Sequence, residues 1–506
     1  MIRTIAALVF LLGCTKATYR GPASLQGIIE VPNDLERVSQ EILGFFGSPS
    51  FTPESCSRIL NDLYEGVFNK EATYFDRSAI GAGAFPILEN LWQAKQKLRE
   101  RIGPWIRDGA MKPECMKSVR DVLRAMRFIE DFVGAWRMNP TGSSEKVFKA
   151  FTGGFPYLML AGGKERLELQ AGDVLMSRGN AFTSAAIARI GDDDAQFSHL
   201  AIVHVDPATG KKYVVEAHIE IGLLEVELEK YQSDGKVRSV VYRHPDAKLA
   251  ALAGRKIYDH AKDLRGKATS YKRKGENVPY DFRMDSTDRR ELFCSEVVEY
   301  AFELAAQELG VEFRMPLYRT TFSMRNRDFL ERIGVEGKEA FAPADIEVDP
   351  RFQLVAEWRD YDRVRQTHYK DAILTSMFLL MERDDYTMHG NPITWLKSTA
   401  LWHARRWPLF EGLLEERFPR NMMKKTIGTM LLLDNVGESL LEELEKREKE
   451  RIRKTGLGMT MKEMVEVLDE FRKKELEDFQ RPRRQDGESP EPNHMGFHNH
   501  FRPRNL

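Results

Sequence analysis

Residues 197–218 read FSHLAIVHVDPATGKKYVVEAH, and this stretch decides the fold of the middle of the chain. His199–Val205 and Lys212–His218 are short apolar runs, and turn-forming residues fill Asp206–Gly210 between them. The pattern predicts a β-hairpin. Three polar side chains that can do chemistry lie near one end of it: His199, Glu216 and His218.

The register of this hairpin decides which side chain faces His199. Side chains alternate along a strand, so Glu216 and His218 share one face. Two four-residue loops are compatible with the sequence: 206–209 and 207–210. The first places His199 opposite Glu216 and the second places it opposite His218, whereas a symmetric five-residue loop places it opposite Ala217. The residues alone leave this choice open.

A second stretch, LFCSEVV at Leu292–Val298, places Cys294 at the start of a predicted helix. This position suits a nucleophile, because the unpaired N–H groups and the dipole of a helix N-terminus stabilise a thiolate and lower its pKa. The same N–H groups can stabilise an oxyanion. A histidine such as His199 completes a Cys–His pair, and a third polar group can orient its imidazole.

Seven short motifs in a fixed order resemble the circularly permuted NlpC-type papain-like cysteine hydrolases, the YiiX- and YebB-like group, across residues 165–360. The matching segments are AGDVL from Ala171, FTSAAI from Phe182, SHLAIV from Ser198, VEA from Val215, PYDF from Pro279, CSEVV from Cys294 and PADI from Pro343. The resemblance implies an α+β fold: a permuted papain-like domain, flanked here by N- and C-terminal helical regions. In that family the His strand precedes the Cys helix, as it does in this chain.

By this resemblance Cys294 is the nucleophile, His199 is the base and Glu216 orients His199. His218 is the alternative third residue. The resemblance also implies three substrate-lining residues: Tyr280, Ser198 and Asp173. Neither a metal nor a cofactor is expected.

The resemblance favours a cell-envelope cysteine hydrolase that cleaves an amide through a thioester intermediate. The expected substrate is a peptide or amide, such as a cell-wall peptidoglycan fragment or a related γ-glutamyl-type bond. One alternative is a lipid acyl hydrolase or acyltransferase of the same superfamily. Another is a non-catalytic envelope scaffold.

The first 13 residues are typical of a signal peptide. Their apolar run, Ile5–Leu12, is too short to span a bilayer. The sequence Leu-Leu-Gly-Cys that ends at Cys14 resembles the bacterial lipobox, so we expect Cys14 to be lipidated. An ordinary signal cleavage near Ala17 is the alternative. Either cleavage places the mature protein outside the cytoplasm, and the first also anchors it to a membrane.

Apolar periodicity and turn signals divide the rest of the chain. The predicted parts are a tether at 14–34, a helical N-terminal region at 35–150, the hydrolase domain at 165–360, a helical C-terminal region at 361–480 and a disordered tail at 481–506. The polar, basic loop 269–277 precedes Tyr280 and either recognises an acidic group or is a solvated surface loop.

Composition excludes several classes of protein. The 506 residues are 42% hydrophobic and 30% charged, which is typical of a globular chain of several domains. The net charge of −1 argues against a dedicated nucleic-acid binder. Four cysteines are too few for a disulfide scaffold. Besides Cys14 and Cys294 they include Cys56 and Cys115, each before a predicted helix, and we expect these two to form a disulfide.

Overall fold

A computed structural model describes most of the chain. The described residues are 35–138, 158–160, 167–191, 195–233, 236–267, 278–322, 327–390, 392–407, 410, 414, 417–480 and 496–506. The predicted signal peptide with Cys14, the tether and the loop 269–277 lie outside them. No helix in the described part of the chain is both long enough and apolar enough to cross a membrane.

The N-terminal region is helical, as the sequence predicts. Its α-helices are α1 (Leu35–Phe46), α2 (Cys56–Leu63), α3 (Arg77–Arg107) and α4 (Pro113–Met138). Their apolar faces form a core of their own. A disulfide between Cys56 and Cys115 joins the starts of α2 and α4 with a Cα–Cα distance of 5.4 Å, which confirms the predicted pairing.

The middle domain is built on an antiparallel sheet of seven strands. They are β1 (Leu158–Leu160), β2 (Val174–Gly179), β3 (His199–Val205), β4 (Lys212–His218), β5 (Gly222–Glu227), β6 (Lys236–Arg243) and β9 (Gln353–Arg359). Their order across the sheet is β1-β9-β6-β2-β3-β4-β5. The predicted hairpin therefore lies near one edge of the sheet, with β5 outside it.

Several helices accompany this sheet. They are α5 (Phe182–Ala188), α6 (Leu228–Ser233), α7 (Ala247–Lys267), α8 (Cys294–Leu309) and α9 (Arg327–Ile333), and a two-stranded sheet of β7 (Thr320–Thr321) and β8 (Glu339–Ala340) completes the domain. Helices α7 and α8 pack against each other and against β3. Because α8 begins at Cys294, this packing brings the cysteine to the end of the sheet where His199 lies.

A close backbone approach fixes the start of β2. Gly172 has φ +84°, and a Cβ atom there would lie 2.1 Å from the carbonyl oxygen of Ala250 in α7. Only glycine fits this position without displacing the helix.

Buried charges attach the N-terminal region to the sheet. Lys95 Nζ lies 2.8 Å from Glu130 Oε2 and 2.5 Å from Glu357 Oε2. Arg359 pairs with Glu130, and its Nη1 lies 2.9 Å from Asp131 Oδ1. Removing one partner from a buried ion pair typically costs about 3–5 kcal/mol, because the other charge is left in a low-dielectric interior. The region is thus part of the folded body and not a loosely tethered appendage.

The C-terminal region is mainly helical: α10 (Tyr361–Asp384), α11 (Pro392–Ala404), α12 (Lys424–Thr455) and α13 (Met461–Gln480). The prediction of a disordered tail over 481–506 is wrong for its last residues. The segment Gly496–His500 is a helix (α14), and β11 (Phe501–Pro503) pairs with β10 (Tyr386–Met388). Burial of Phe497 and Phe501 holds this end in place, although the sequence shows no periodicity there.

Candidate active site

The hairpin positions a histidine against a carboxylate. His199 Nε2 lies 2.6 Å from Glu216 Oε2, and Glu216 is buried. The Asp206 N–H donates to the Lys211 carbonyl, so the loop is 207–210, the choice that places His199 opposite His218. Glu216 nevertheless reaches His199 diagonally across the two strands, since residues offset by two remain within reach of long side chains. The predicted partner is therefore present, although the register is the one that would pair His199 with His218.

The second histidine binds the same carboxylate. His218 Nε2 lies 3.1 Å from Glu216 Oε1, so each oxygen of Glu216 has its own imidazole. Among the described residues these three side chains form the one group whose donor atoms, all within 4.8 Å of one another, could hold a metal ion. In this arrangement the Nε2 atom of each histidine already lies against one oxygen of Glu216, as in a hydrogen-bonded chain of side chains.

The cysteine lies at the first position of α8 and is 3% exposed. Its Sγ is within electrostatic reach of the His199 imidazole and of the backbone N–H of Leu200, both of which lower its pKa. The carbonyl oxygen of Ser198 lies 3.8 Å from the same sulfur. The packing of α8 on β3 thus brings together the cysteine and histidine that the sequence separates by almost a hundred positions. Ser198, predicted to line the site, reaches it through its backbone.

The site is electrostatically coupled. Burial disfavours the charged form of His199, but hydrogen bonds and charges of Cys294 and Glu216 outweigh it and raise the pKa of His199 to about 9. Burial likewise opposes ionisation of Cys294, and the hydrogen bond and charge of His199 outweigh it, so the pKa of Cys294 is lowered. Both shifts favour a thiolate–imidazolium pair. Burial also opposes ionisation of Glu216, but its two histidine partners hold its pKa well below the ordinary range.

A second carboxyl group lies in the same helix turn as Cys294, and Arg289 Nη1 lies 3.5 Å from its Oε1. Glu296, in the first turn of α8, accepts the backbone N–H of Phe293 at 3.1 Å. Burial raises the pKa of Glu296 to about 9.

Tyr280 lies within electrostatic reach of Cys294, and its place in the substrate site stays a prediction. It is buried, and the charge of Cys294 adds to the effect of burial in raising the pKa of Tyr280 well above its ordinary range. Its segment is clamped from two sides, since the Leu223 N–H donates to the Val278 carbonyl and the Leu292 N–H to the Pro279 carbonyl. Tyr280 therefore presents a neutral phenol to the site at physiological pH.

Asp173 does not line the site, and this prediction is wrong. In the antiparallel pair of β2 and β3, His199 lies opposite Ser177, so Asp173 is four residues away beyond the other end of β2. Its carboxylate instead binds Arg243 through two contacts of 2.7 Å and accepts the Gln170 N–H. The Gly172–Asp173 pair of the AGDVL motif therefore has a structural role at the start of β2.

The C-terminal region lines one side of an apolar pocket beside Tyr280, and the sequence did not reveal this contact. A pocket of about 70 Å³ has Tyr280 and Phe282 on one side. On the other side α12 supplies Thr426, Thr429, Met430 and Leu433. Asn421, just before α12, donates from Nδ2 to the Tyr280 carbonyl at 2.8 Å. These contacts join residues about 140 positions apart, and no local pattern in the sequence signals them.

Comparison with known proteins agrees with this geometry. Residues 168–356 match the model of a family described as "permuted papain-like amidase enzyme, YaeF/YiiX, C92 family". No curated protein and no solved structure matches the chain. The match supports an amide-cleaving hydrolase and leaves both helical regions outside it. The chain thus has mixed helix and sheet, and its middle domain, flanked by helical regions, is similar to the permuted papain-like amidases.

Proposed function

We propose that this protein is a cysteine hydrolase in which Cys294 attacks an amide carbonyl. The observation that carries the proposal is a buried cysteine at a helix start whose charge is coupled to His199, which is itself hydrogen-bonded to Glu216 at 2.6 Å. Nucleophile, base and orienting group within hydrogen-bond reach are the arrangement that thiol catalysis needs.

In the proposed reaction the Cys294 thiolate adds to the carbonyl carbon, and N–H groups at the start of α8 stabilise the oxyanion. The His199 imidazolium gives its proton to the leaving nitrogen, the C–N bond breaks and an acyl thioester remains. His199 then takes a proton from water, whose oxygen attacks the thioester. The C–S bond then breaks, the acid is released, and the Cys294 thiolate is restored beside protonated His199. Glu216 holds His199 in orientation and stabilises its positive charge throughout.

We propose a cell-wall peptide or a related γ-glutamyl-type amide as the substrate. Lipid acyl chemistry is the second candidate, and one observation favours it: the pocket beside Tyr280 is lined almost wholly by apolar side chains and so suits an acyl chain. Location outside the cytoplasm, with a lipid on Cys14, is part of the proposal. Incorporation of labelled palmitate, lost in Cys14→Ser, tests the anchor.

Incubation with muropeptides and, separately, with phospholipids tests the function. Mass spectrometry should find cleaved peptide amides with the wild-type protein and none with Cys294→Ser. Release of fatty acid or transfer of an acyl group, with muropeptides untouched, would replace the first candidate by the second. Turnover of either substrate by a folded Cys294→Ser variant would contradict the thiol mechanism.

A further inference from the structure

Helix α11 exposes its apolar residues and buries small polar ones. Ile393, Trp395 and Leu396 are 63%, 60% and 63% exposed. In contrast, Thr394 and Ser398 are buried. A helix on the surface of a globular protein normally shows the opposite distribution, with the apolar stripe facing the core. The outward face of α11 is therefore built for contact with something apolar.

Interior contacts hold this face outward. Ser398 packs against Gly428 of α12, where a Cβ atom on the glycine would lie 3.7 Å from the serine side chain. The buried guanidinium of Arg405, just after α11, donates to the backbone carbonyls of Phe418, Pro419, Arg420 and Met422. Turning α11 inward would break this clamp and place Trp395 where only a serine fits.

The exposed surface continues beyond the helix. Trp407 is 61% exposed, and Phe410 and Met423 are also exposed. Together with the three side chains of α11 they account for six of the nine exposed large hydrophobic side chains among the described residues. We name these six residues the tryptophan patch: Ile393, Trp395, Leu396, Trp407, Phe410 and Met423. Concentration of exposed apolar side chains in one stretch marks an interaction site.

Positive charge accompanies the patch. Residues 392–425 contain seven lysines and arginines against three glutamates, a net charge of +4 in a chain whose total is −1. Of the seven, Arg405 is buried and Arg417 pairs with Asp434 outside this range. Lys397 and Arg406 are exposed beside the apolar side chains. Lys424 Nζ lies 5.1 Å from the ring centre of Trp395, and the Arg406 guanidinium lies 3.7 Å from that of Trp402.

We propose that the tryptophan patch binds the surface of an anionic lipid bilayer. Tryptophan favours the interface between hydrocarbon and water, because its large ring is apolar and its N–H is polar. Lysine and arginine beside the apolar face bind anionic headgroups. A partner protein would also cover an apolar face, but the joint presence of exposed tryptophans and excess positive charge fits a bilayer best.

The patch lies close to the apolar pocket beside Tyr280. Behind it, Phe418, Met422 and Ile427 form a small cluster whose neighbours include Ile219, Phe282 and Met430. These three neighbours also line the apolar pocket. Docking on a bilayer would bring that pocket close to lipid. The docking itself does not depend on the proposed chemistry.

Sedimentation with vesicles tests the proposal. The full chain carrying Cys14→Ser, which removes the predicted lipid, is mixed with vesicles of phosphatidylcholine alone or with added phosphatidylglycerol. The patch variant adds Trp395→Ser and Leu396→Ser. The control variant instead adds Val311→Ser and Leu317→Ser, which replace exposed apolar residues outside the patch. The four apolar side chains that these two variants replace are exposed, and thermal unfolding checks that each variant folds.

We expect the parent and the control variant to bind the phosphatidylglycerol vesicles, and to bind less at high salt. The patch variant should bind at least about tenfold more weakly, because burying each apolar side chain contributes more than the free energy of one tenfold step. Failure of the parent to bind, or equal binding by the patch variant, would overturn the proposal. So would a dimer in solution that only the patch variant dissociates, since the patch would then bind a second copy.

Discussion

Both helical flanks are joined to the middle domain by buried ion pairs, since Asp371 of α10 pairs with Arg178 of β2. They differ in the cores they build, because the C-terminal flank shares the core of the middle domain. The N-terminal flank is joined by buried ion pairs, such as Lys95 with Glu357, and it has a disulfide and a core of its own. The C-terminal flank supplies apolar side chains, such as Met430 and Leu433, to the pocket beside Tyr280. From this contrast we predict that the first flank stabilises the domain, whereas the second affects which substrates bind.

The largest expected effect tests whether the chemistry belongs to the middle domain alone. Cys294→Ser should lower turnover by on the order of 10³-fold or more, because a serine hydroxyl has far less nucleophilic anion near neutral pH and the catalytic unit acts cooperatively. Steady-state kinetics on the substrate found by mass spectrometry measures this. Circular dichroism should show an intact fold. Unchanged turnover would place the chemistry elsewhere.

The N-terminal flank should affect stability without affecting chemistry. The disulfide joins residues 59 positions apart, and a loop of that length gives roughly 4 kcal/mol of stabilisation. Cys56→Ser with Cys115→Ser should therefore lower the free energy of unfolding in urea while kcat/KM of the folded protein stays unchanged. A fall in kcat/KM with an unchanged free energy of unfolding would contradict this prediction, because the N-terminal flank would then affect the chemistry.

A smaller effect separates the two neighbours of the catalytic histidine. Glu216→Gln should lower kcat at least about tenfold, because loss of the carboxylate removes the partner that orients and charges His199. His218→Asn should have a weaker effect, since His218 pairs with Glu216 and meets His199 only through an edge-on ring contact, with ring centres 5.7 Å apart. Steady-state kinetics measures both variants. A larger fall in kcat for His218→Asn than for Glu216→Gln would make His218 the orienting residue.

The smallest effect concerns the wall from the C-terminal flank. Met430→Trp should fill part of the pocket and raise KM several-fold for a substrate with an apolar chain, with kcat nearly constant. Met430→Leu conserves volume and is the matched control. Equal KM values for the two variants would show that this pocket does not bind the substrate.

The sequence predicted local features and missed distant ones. The helix start at Cys294, the hairpin and the Cys56–Cys115 pairing follow from short motifs and caps, and the structure contains all three. The Gly-Asp motif was assigned to the site, yet Asp173 has a structural partner in Arg243. Periodicity could not reveal the ordered C-terminus, because it depends on burial of a few aromatic rings against distant helices.

The diagonal contact between His199 and Glu216 shows why register alone was insufficient. The loop sets the backbone pairing, which places His218 opposite His199. The glutamate side chain is nevertheless long enough to bring the Glu216 carboxylate to the His199 imidazole. Similarly, no sequence pattern predicts the pocket wall of α12, since it forms only when two regions pack together.

Titration of the thiol tests the central claim most directly, and it needs no substrate. The ultraviolet absorbance of a thiolate is followed against pH as the difference between the wild-type protein and Cys294→Ser. Because His199 lowers the pKa of Cys294, the thiolate should persist below the ordinary thiol pKa of about 8.5, and His199→Ala should move the transition to that value or above. A wild-type transition at the ordinary value that does not move in His199→Ala would contradict the ion-paired site.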